Sequence, residues 1–396
     1  MSKSHILIAG AGIGGIVAAL ALVQKGFEVS LYEQAAEFHE LGAGVQISPN
    51  GSCVLREIGL QPAMEAIAST PTSREMRLFN TGQRWLLQSS ANAAARYGAP
   101  FWLVHRGDFH QALAAALEQR APGAIRVGAR CLGFEQDAAG VTLLLESGER
   151  LRGDVLIGAD GVHSRTREAL FAARATFTGF IAWRGVVPME RLAPRLRQEN
   201  FTGWMGPTGL VVTYPMRGGE LLNFVADIER SDWVSESWME AGTIEECRTD
   251  FAVWHEDVQE IIGAIHIPYK WALLAREPLQ HWSIGRVSLL GDACHPLLPF
   301  LGQGANMAIE DGMVLARCLS EYSDVLEARR RYEDARLDRT SRMAQASLEN
   351  VSHMHNPQLA YPDQAKAFMD RAFAAGALRD RYDWLYEYDA MTVPVQ

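Results

Sequence analysis

The sequence predicts an α/β (α+β) fold, with a parallel-sheet domain interrupted in the chain by a mixed-sheet, mainly antiparallel domain. Three observations predict it. An apolar strand at 5–9 runs through a glycine-rich turn into a helix. The same device returns far along the chain at 287–315, VSLLGDACHPLLPFLGQGANMAIEDGMVL. Between them, from about Thr176 to Arg276, the pattern changes to alternating strands rich in tryptophan (Trp183, Trp204, Trp233, Trp238, Trp254, Trp271).

His5–Ala9 reads as a short strand, Gly10-Ala11-Gly12-Ile13-Gly14-Gly15 as a turn opening a helix through Val23, and Glu28–Tyr32 as a second strand ending at Glu33. In that setting Gly10 allows the tight turn, Gly12 lets backbone approach a pyrophosphate, and Gly15 lets helix and strand pack closely. Glu33, about 20 residues on, suits a ribose hydroxyl. The motif does not choose between FAD and NAD. The uncharged run Ile6 to Gln24 imitates a membrane helix in length, but its glycines and the lack of a basic leader favour strand–turn–helix.

Leu41–Ile47 is a second glycine-bearing turn into a strand, and Pro49 starts a helix through Ile58. Ser73–Leu87, with Arg74, Arg77 and Arg84, reads as solvated strands. Leu103–Asp108 precedes an amphipathic helix whose Phe109, Leu113, Ala116 and Leu117 share a face, with Asp108 as its N-cap. Arg106 fits a phosphate or ribityl contact and equally a surface position. Val127–Phe134, Val141–Glu146 and Leu151–Ile157 read as three antiparallel strands, the last running into Asp160-Gly161 and a helix start, where a second polar contact to the cofactor is expected.

In the second domain Gly209–Pro215 and Leu221–Ile228 are strands joined by Arg217-Gly218-Gly219, and Phe251–Ile262 is a helix. After Trp282 the chain returns to the first domain, ending its strand at Gly291 and starting a helix from Ala305. A helix start with glycines attracts an anion or an electron-rich carbonyl edge. Asp292 suits a hydroxyl donor such as a ribityl chain. Ser323–Glu349 reads as a long helix with a solvated face (Glu327 with Arg331, Arg329 with Glu333), broken by Pro357 and Pro362. A last helix at Ala365–Ala375 precedes an aromatic tail, Tyr382–Tyr388, of a kind that docks on a core or on a partner chain, so a homodimer stays open. The expected division is 1–72, 98–175 and 277–342 for the first domain, 73–97 and 176–276 for the second, and 343–396 for a helical tail.

A net charge of −10 argues against nucleic acid and against a polybasic membrane role. Five scattered cysteines without C-x-x-C fit a reducing, cytoplasmic setting and give no metal knuckle. No metal site and no stable membrane insertion are expected.

Together, Gly10–Gly15 with Glu33, Asp160-Gly161 and GDACHP…P…GQG resemble the single-component (class A) flavoprotein aromatic hydroxylases, from Ile6 to about Arg342. The resemblance implies a Rossmann-like FAD-binding domain of glutathione-reductase or p-hydroxybenzoate-hydroxylase type, with NADH or NADPH as a transient co-substrate. It implies FAD contacts from Gly10, Gly12, Gly15, Glu33, Gln34, Val45, Arg106, Asp160 and Asp292, and from the helix start at Gly304, Ala305 and Asn306. The backbone carbonyl of Pro299 would face the reactive flavin carbon. In this class the reduced flavin takes up O₂ as a C4a-hydroperoxide, and an apolar roof keeps water from it. Gln46, Trp183, Tyr214, Phe224 and Phe300 are the expected substrate-lining residues, although Trp183 and Phe224 serve equally well as core. The chain is most similar to the salicylate, 3-hydroxybenzoate and 6-hydroxynicotinate hydroxylases through LGAGVQISPNG, GDACHP and the aromatic tail. It departs from them at Phe300, which cannot accept a proton, leaving Tyr214, His295 or an ordered water as the base. The expected activity is hydroxylation of a small hydroxylated aromatic or N-heteroaromatic acid. Alternatives are a flavin epoxidase or urate-type hydroxylase of the same fold, a flavin reductase without oxygenase activity, or a non-catalytic sensor.

Overall fold

The computed structural model describes residues 4–38, 43–87, 93–171, 176–197, 199–230, 240–276 and 278–395. Trp233, Trp238, Leu41 and Gly42 lie outside the described residues. The first sheet has six strands in the order Ser283–Ile284, Val287–Leu289, Val155–Gly158, His5–Ala9, Glu28–Tyr32 and Ile125–Arg126. All its pairings are parallel except the terminal hairpin Ser283–Ile284 with Val287–Leu289. Helix Ile13–Gln24 packs on it and meets helix Gly304–Glu321 so closely that a Cβ at Gly312 would lie 2.8 Å from the Ala18 nitrogen. Ile16, Leu20, Ile157, Leu289, Ile309 and Leu315 are buried in this core.

The Leu151–Ile157 strand of the sequence reading is two strands. Arg150–Gly153 closes a three-stranded antiparallel sheet with Gly140–Leu145 and Cys131–Asp137. Val155–Gly158 belongs to the parallel sheet, beside His5–Ala9. One apolar run therefore serves two sheets, and alternation alone does not reveal the change of partner.

The second domain is an eight-stranded sheet in the order Glu240–Ala241, Tyr269–Ala275, Thr176–Pro188, Leu221–Glu229, Gly209–Met216, Phe201–Met205, Arg74–Leu78 and Arg84–Leu86. Only Phe201–Met205 with Arg74–Leu78 is parallel. Ile244–Asp250 and Glu256–Ala264 are separate helices covering one face, in place of the single Phe251–Ile262 helix. Arg74 and Arg77 are not on solvated strands. Arg74 lies over Phe101 and Phe201, at 4.8 and 4.6 Å from the ring centres, and Arg77 pairs with Glu75 above Trp204.

Two further expectations are corrected. His105, not Asp108, caps the helix Arg106–Arg120, its Nδ1 accepting the Asp108 N–H, because Asp108 turns to Arg217 of the second domain at 2.6 Å. The long helix, Val325–Met354, has a surface pair, Arg331 Nε to Glu327 Oε1 at 2.7 Å, but its inner face buries Arg329, Arg336 and Arg339. Glu333 does not hold Arg329 in a hydrogen bond and instead accepts the Trp282 N–H at 2.9 Å. The aromatic tail falls on helix Ala375–Tyr386 and docks on its own chain: Tyr386 is buried beside Tyr97, and Trp384 lies under Arg342 at 3.9 Å. Among the described residues no helix is long and apolar enough to cross a membrane.

Candidate active site

The glycines of the N-terminal turn separate by what surrounds them. A Cβ at Gly10, whose φ is +99°, would strike the Ala159 carbonyl, and one at Gly15 would strike the Gly10 carbonyl. Both are required by packing of turn against strand. A Cβ at Gly12 meets nothing within 4 Å, so backbone there borders open space. Glu33 reaches back to this turn, accepting N–H bonds from Ala11 at 3.0 Å and Ala35 at 2.9 Å. Gln34 beside it is exposed.

Asp292 follows the Val287–Leu289 strand. Its side chain is accessible, yet burial by the surrounding protein raises its carboxyl pKa, which is how a group on the floor of a deep cleft behaves. Arg106 faces the same space: its charge acts on Asp292, while its guanidinium makes no hydrogen bond among the described residues. Gly304 is also at this floor, its Cβ position 3.9 Å from Asp292 Oδ1. Helix Gly304–Glu321 has no side-chain cap and no acid in its first turn, so its positive end is left toward the cleft.

That helix start is locked by side chains. Asn306 Oδ1 accepts the Ser48 N–H at 3.0 Å, and its Nδ2 donates to the carbonyls of Gln46 and Gly302, both at 3.0 Å. Asn306 thus acts through its amide as well as through its position. It fastens the Gly44–Ile47 strand, which holds Val45 and Gln46, to the Pro299–Gly302 turn. Gly51 is a glycine because a Cβ there would collide with the Asn306 amide. Asn50 donates to Gln303 at 2.9 Å and to Glu310 at 2.6 Å. Glu310 in turn holds Arg336 and Arg339 at 2.6 and 2.8 Å. Asn50, Glu310, Asp311, Arg336 and Arg339 are not singled out by the sequence patterns; the available signal is two consecutive acids, Glu310 and Asp311, in the apolar middle of this helix.

The eight-stranded sheet turns one face to the cleft. Asn223 Oδ1 accepts the Gly44 N–H at 2.7 Å, and Tyr214, opposite Asn223 in the sheet, packs its ring against Gly44. Residues opposite one another in an antiparallel pair share a face. Val212, Val225 and Arg184 therefore point with Tyr214, and Ala182 with Trp271. Ala182, Trp271 and Leu298 form a cluster with Phe300. Trp183 and Phe224 belong to the other face, which corrects their expected place at the substrate. Trp183 Nε1 donates to Asp250 at 2.8 Å, and Phe224 lies opposite Gly185, whose Cβ position abuts Ile265 behind the sheet.

The two candidate bases are also corrected. Burial pushes the Tyr214 phenol well above its ordinary pKa, so it stays protonated near neutrality and is a poor base there. His295 is 2.5 Å from Asp311 through Nε2, and its ring tilts on Trp282 at 5.2 Å. It holds the loop together. Cys294, His295 and Asp311 come within 4.8 Å of one another, but Asp311 is already committed to Arg336 at 2.7 Å and to the Gly291 N–H at 2.9 Å. Asp160 likewise spends both oxygens on its own loop, accepting from Ser164 Oγ and from the Thr166 N–H and hydroxyl at 3.0 and 3.1 Å. It fixes the turn at Gly161 by these bonds.

A glycine turn bordering open space, an accessible acid beside an uncapped helix start and an antiparallel sheet facing them suit a flavin dinucleotide, and the relatives put the chain among the class A flavin hydroxylases. The chain belongs to the FAD-binding-domain family, which it matches over residues 3–347. It is 37% identical over 393 residues to a 3-amino-4-hydroxybenzoate 2-monooxygenase of Streptomyces platensis, covering 99% of this chain and 98% of the relative. It is 38% identical over 361 residues to a 6-hydroxynicotinate 3-monooxygenase of Pseudomonas fluorescens, covering 89% and 92%. The crystal structure of a Klebsiella pneumoniae protein with FAD and uric acid superposes with a TM-score of 0.83 at 26% identity, over 99% of this chain and 98% of that one.

Proposed function

We propose that this chain hydroxylates a small hydroxylated aromatic or N-heteroaromatic acid, consuming NADH or NADPH and O₂. One oxygen atom enters the ring and the other leaves as water. The observation that carries the reading is the cleft between Asp292 and the sheet face of Tyr214 and Arg184, in a chain with monooxygenase relatives along nearly its whole length.

Bound FAD would supply hydride acceptance from the nicotinamide and activation of O₂. Gly12 would leave room for its pyrophosphate, Glu33 would take a ribose hydroxyl, and Asp292 with Arg106 would hold the ribityl and phosphate portion. Gln34 and Val45 would add further contacts to the cofactor. The N–H groups of Gly304, Ala305 and Asn306 would stabilise negative charge at the helix start. Pro299 opens the Pro299–Leu301 turn, and its carbonyl accepts the Gly302 N–H at 2.9 Å, next to the Gly302 carbonyl that Asn306 holds. Gln46 can hydrogen-bond a substrate hydroxyl, while Phe300, Val212 and Val225 exclude water. With Tyr214 protonated and His295 held by Asp311, the phenol proton would pass to water.

A urate-type hydroxylase is the second reading, favoured by the uric-acid complex among the structural neighbours. The test is NADH and NADPH oxidation with O₂ uptake, measured for 3-amino-4-hydroxybenzoate, 3-hydroxybenzoate, 6-hydroxynicotinate and uric acid, with product identification. Stimulation by an aromatic acid with a hydroxylated product is expected. Response to uric acid alone selects the second reading, and response to none of the four overturns both.

A further inference from the structure

Arg184 stands on the cleft face of the sheet with its guanidinium over the Trp271 ring, 4.4 Å from the ring centre. Its Nε is buried without a hydrogen-bond partner, and the group makes no ion pair among the described residues. The groups that act on it are the Tyr214 phenol, which is neutral, and Arg106, a second cation. Burial brings its pKa down to about 10, yet the side chain keeps some accessible surface. The contrast with Arg336 and Arg339 is direct: those buried guanidiniums are matched by Glu310 and Asp311. A guanidinium withdrawn from water without a counter-charge destabilises the fold, and an anion delivered by a ligand removes that cost. The charge of Arg106 acts on both Asp292 and Arg184, and Arg184 itself stands on the sheet among Trp271, Val225 and Tyr214.

We infer that Arg184 anchors the carboxylate of the aromatic acid, the stacked guanidinium presenting its fork into the cleft. This rests on the proposed function and deepens it by naming the group that orients the ring. Stacking on Trp271 fixes the guanidinium plane, so two parallel N–H bonds to a carboxylate would set both the position and the tilt of the substrate. The neutral phenol of Tyr214 nearby adds a donor and no competing negative charge.

The experiment measures binding of each aromatic acid of the panel, and of its carboxamide, to flavin-loaded protein by calorimetry. The parent and Arg184→Gln are compared. In the parent the acid should bind more tightly than the amide. In Arg184→Gln, with flavin retained, acid binding should weaken about 10- to 100-fold, while amide binding changes by less than about twofold. Arg184→Lys keeps the charge without the planar fork, and an intermediate preference for acid is expected. Equal losses for acid and amide, or an unchanged acid preference in both variants, overturn the anchor and leave the aromatic-acid reading standing. A parent protein that binds none of the acids overturns that reading and the anchor together.

Discussion

Arg336 and Glu310 form an ion pair in which neither side chain has exposed surface, Nη1 to Oε2 at 2.6 Å. It joins the long helix to the helix whose start faces the cleft. Burial opposes the charge on Arg336, but Glu310 and Asp311 outweigh it and raise its pKa. The pair therefore sets where Gly304 and Asn306 stand, although neither partner touches the cleft.

Removing one partner should be costly. Glu310→Ala leaves Arg336 short of an anion and Arg339 and Asn50 short of an acceptor, for a loss of about 3–5 kcal/mol in urea unfolding. A loss below about 1 kcal/mol would show that the network is not structural.

Acid should act through Asp311. Burial alone would raise its carboxyl, but His295 and Arg336 bring it to about 2, below the ordinary 3.8. The folded state therefore binds this proton less readily than the unfolded one. The resulting stability is complete above 3.8 and is lost as pH falls toward 2. Asp311→Asn should be less stable near neutrality and show a flatter stability profile across that interval. An unchanged slope would contradict the pairing.

The turn glycines should fail in different ways. Gly12→Val projects into open space and should give folded, colourless protein, whereas Gly15→Val meets the Gly10 carbonyl and should reduce folded yield itself. Flavin retained at full stoichiometry in Gly12→Val would remove the turn from the cofactor site.

Most of the parallel domain was legible because its devices are local. A strand, a glycine turn and a helix carry their signal within thirty residues, and His5–Ala9 and Glu28–Tyr32 stand where the pattern puts them. What escaped is set by distant partners. The orientation of Trp183 depends on which face of its strand meets the two covering helices, and strand alternation assigns faces without saying what covers them. Arg336 lay hidden in a helix full of charge, because a buried and a solvated arginine look alike until Glu310 is placed beside one. Arg184 was passed over for the same reason, being one more arginine in a strand.

Tyr214→Phe should behave as loss of a hydrogen-bond donor. The phenol is protonated through the neutral range, so about 0.5–1.5 kcal/mol of substrate binding should go, with flavin intact. The acid limb of the pH–rate profile should stay in place. A shift of that limb would restore Tyr214 as the base.

The central claim is oxygen transfer to an aromatic acid. Its most direct measurement is turnover under ¹⁸O₂ with NADH or NADPH and the best acid of the panel, followed by mass spectrometry of the product. One ¹⁸O atom in the hydroxylated ring is the predicted result. Oxidation of the nicotinamide with all the oxygen recovered as hydrogen peroxide, and the acid returned unlabelled, would contradict it.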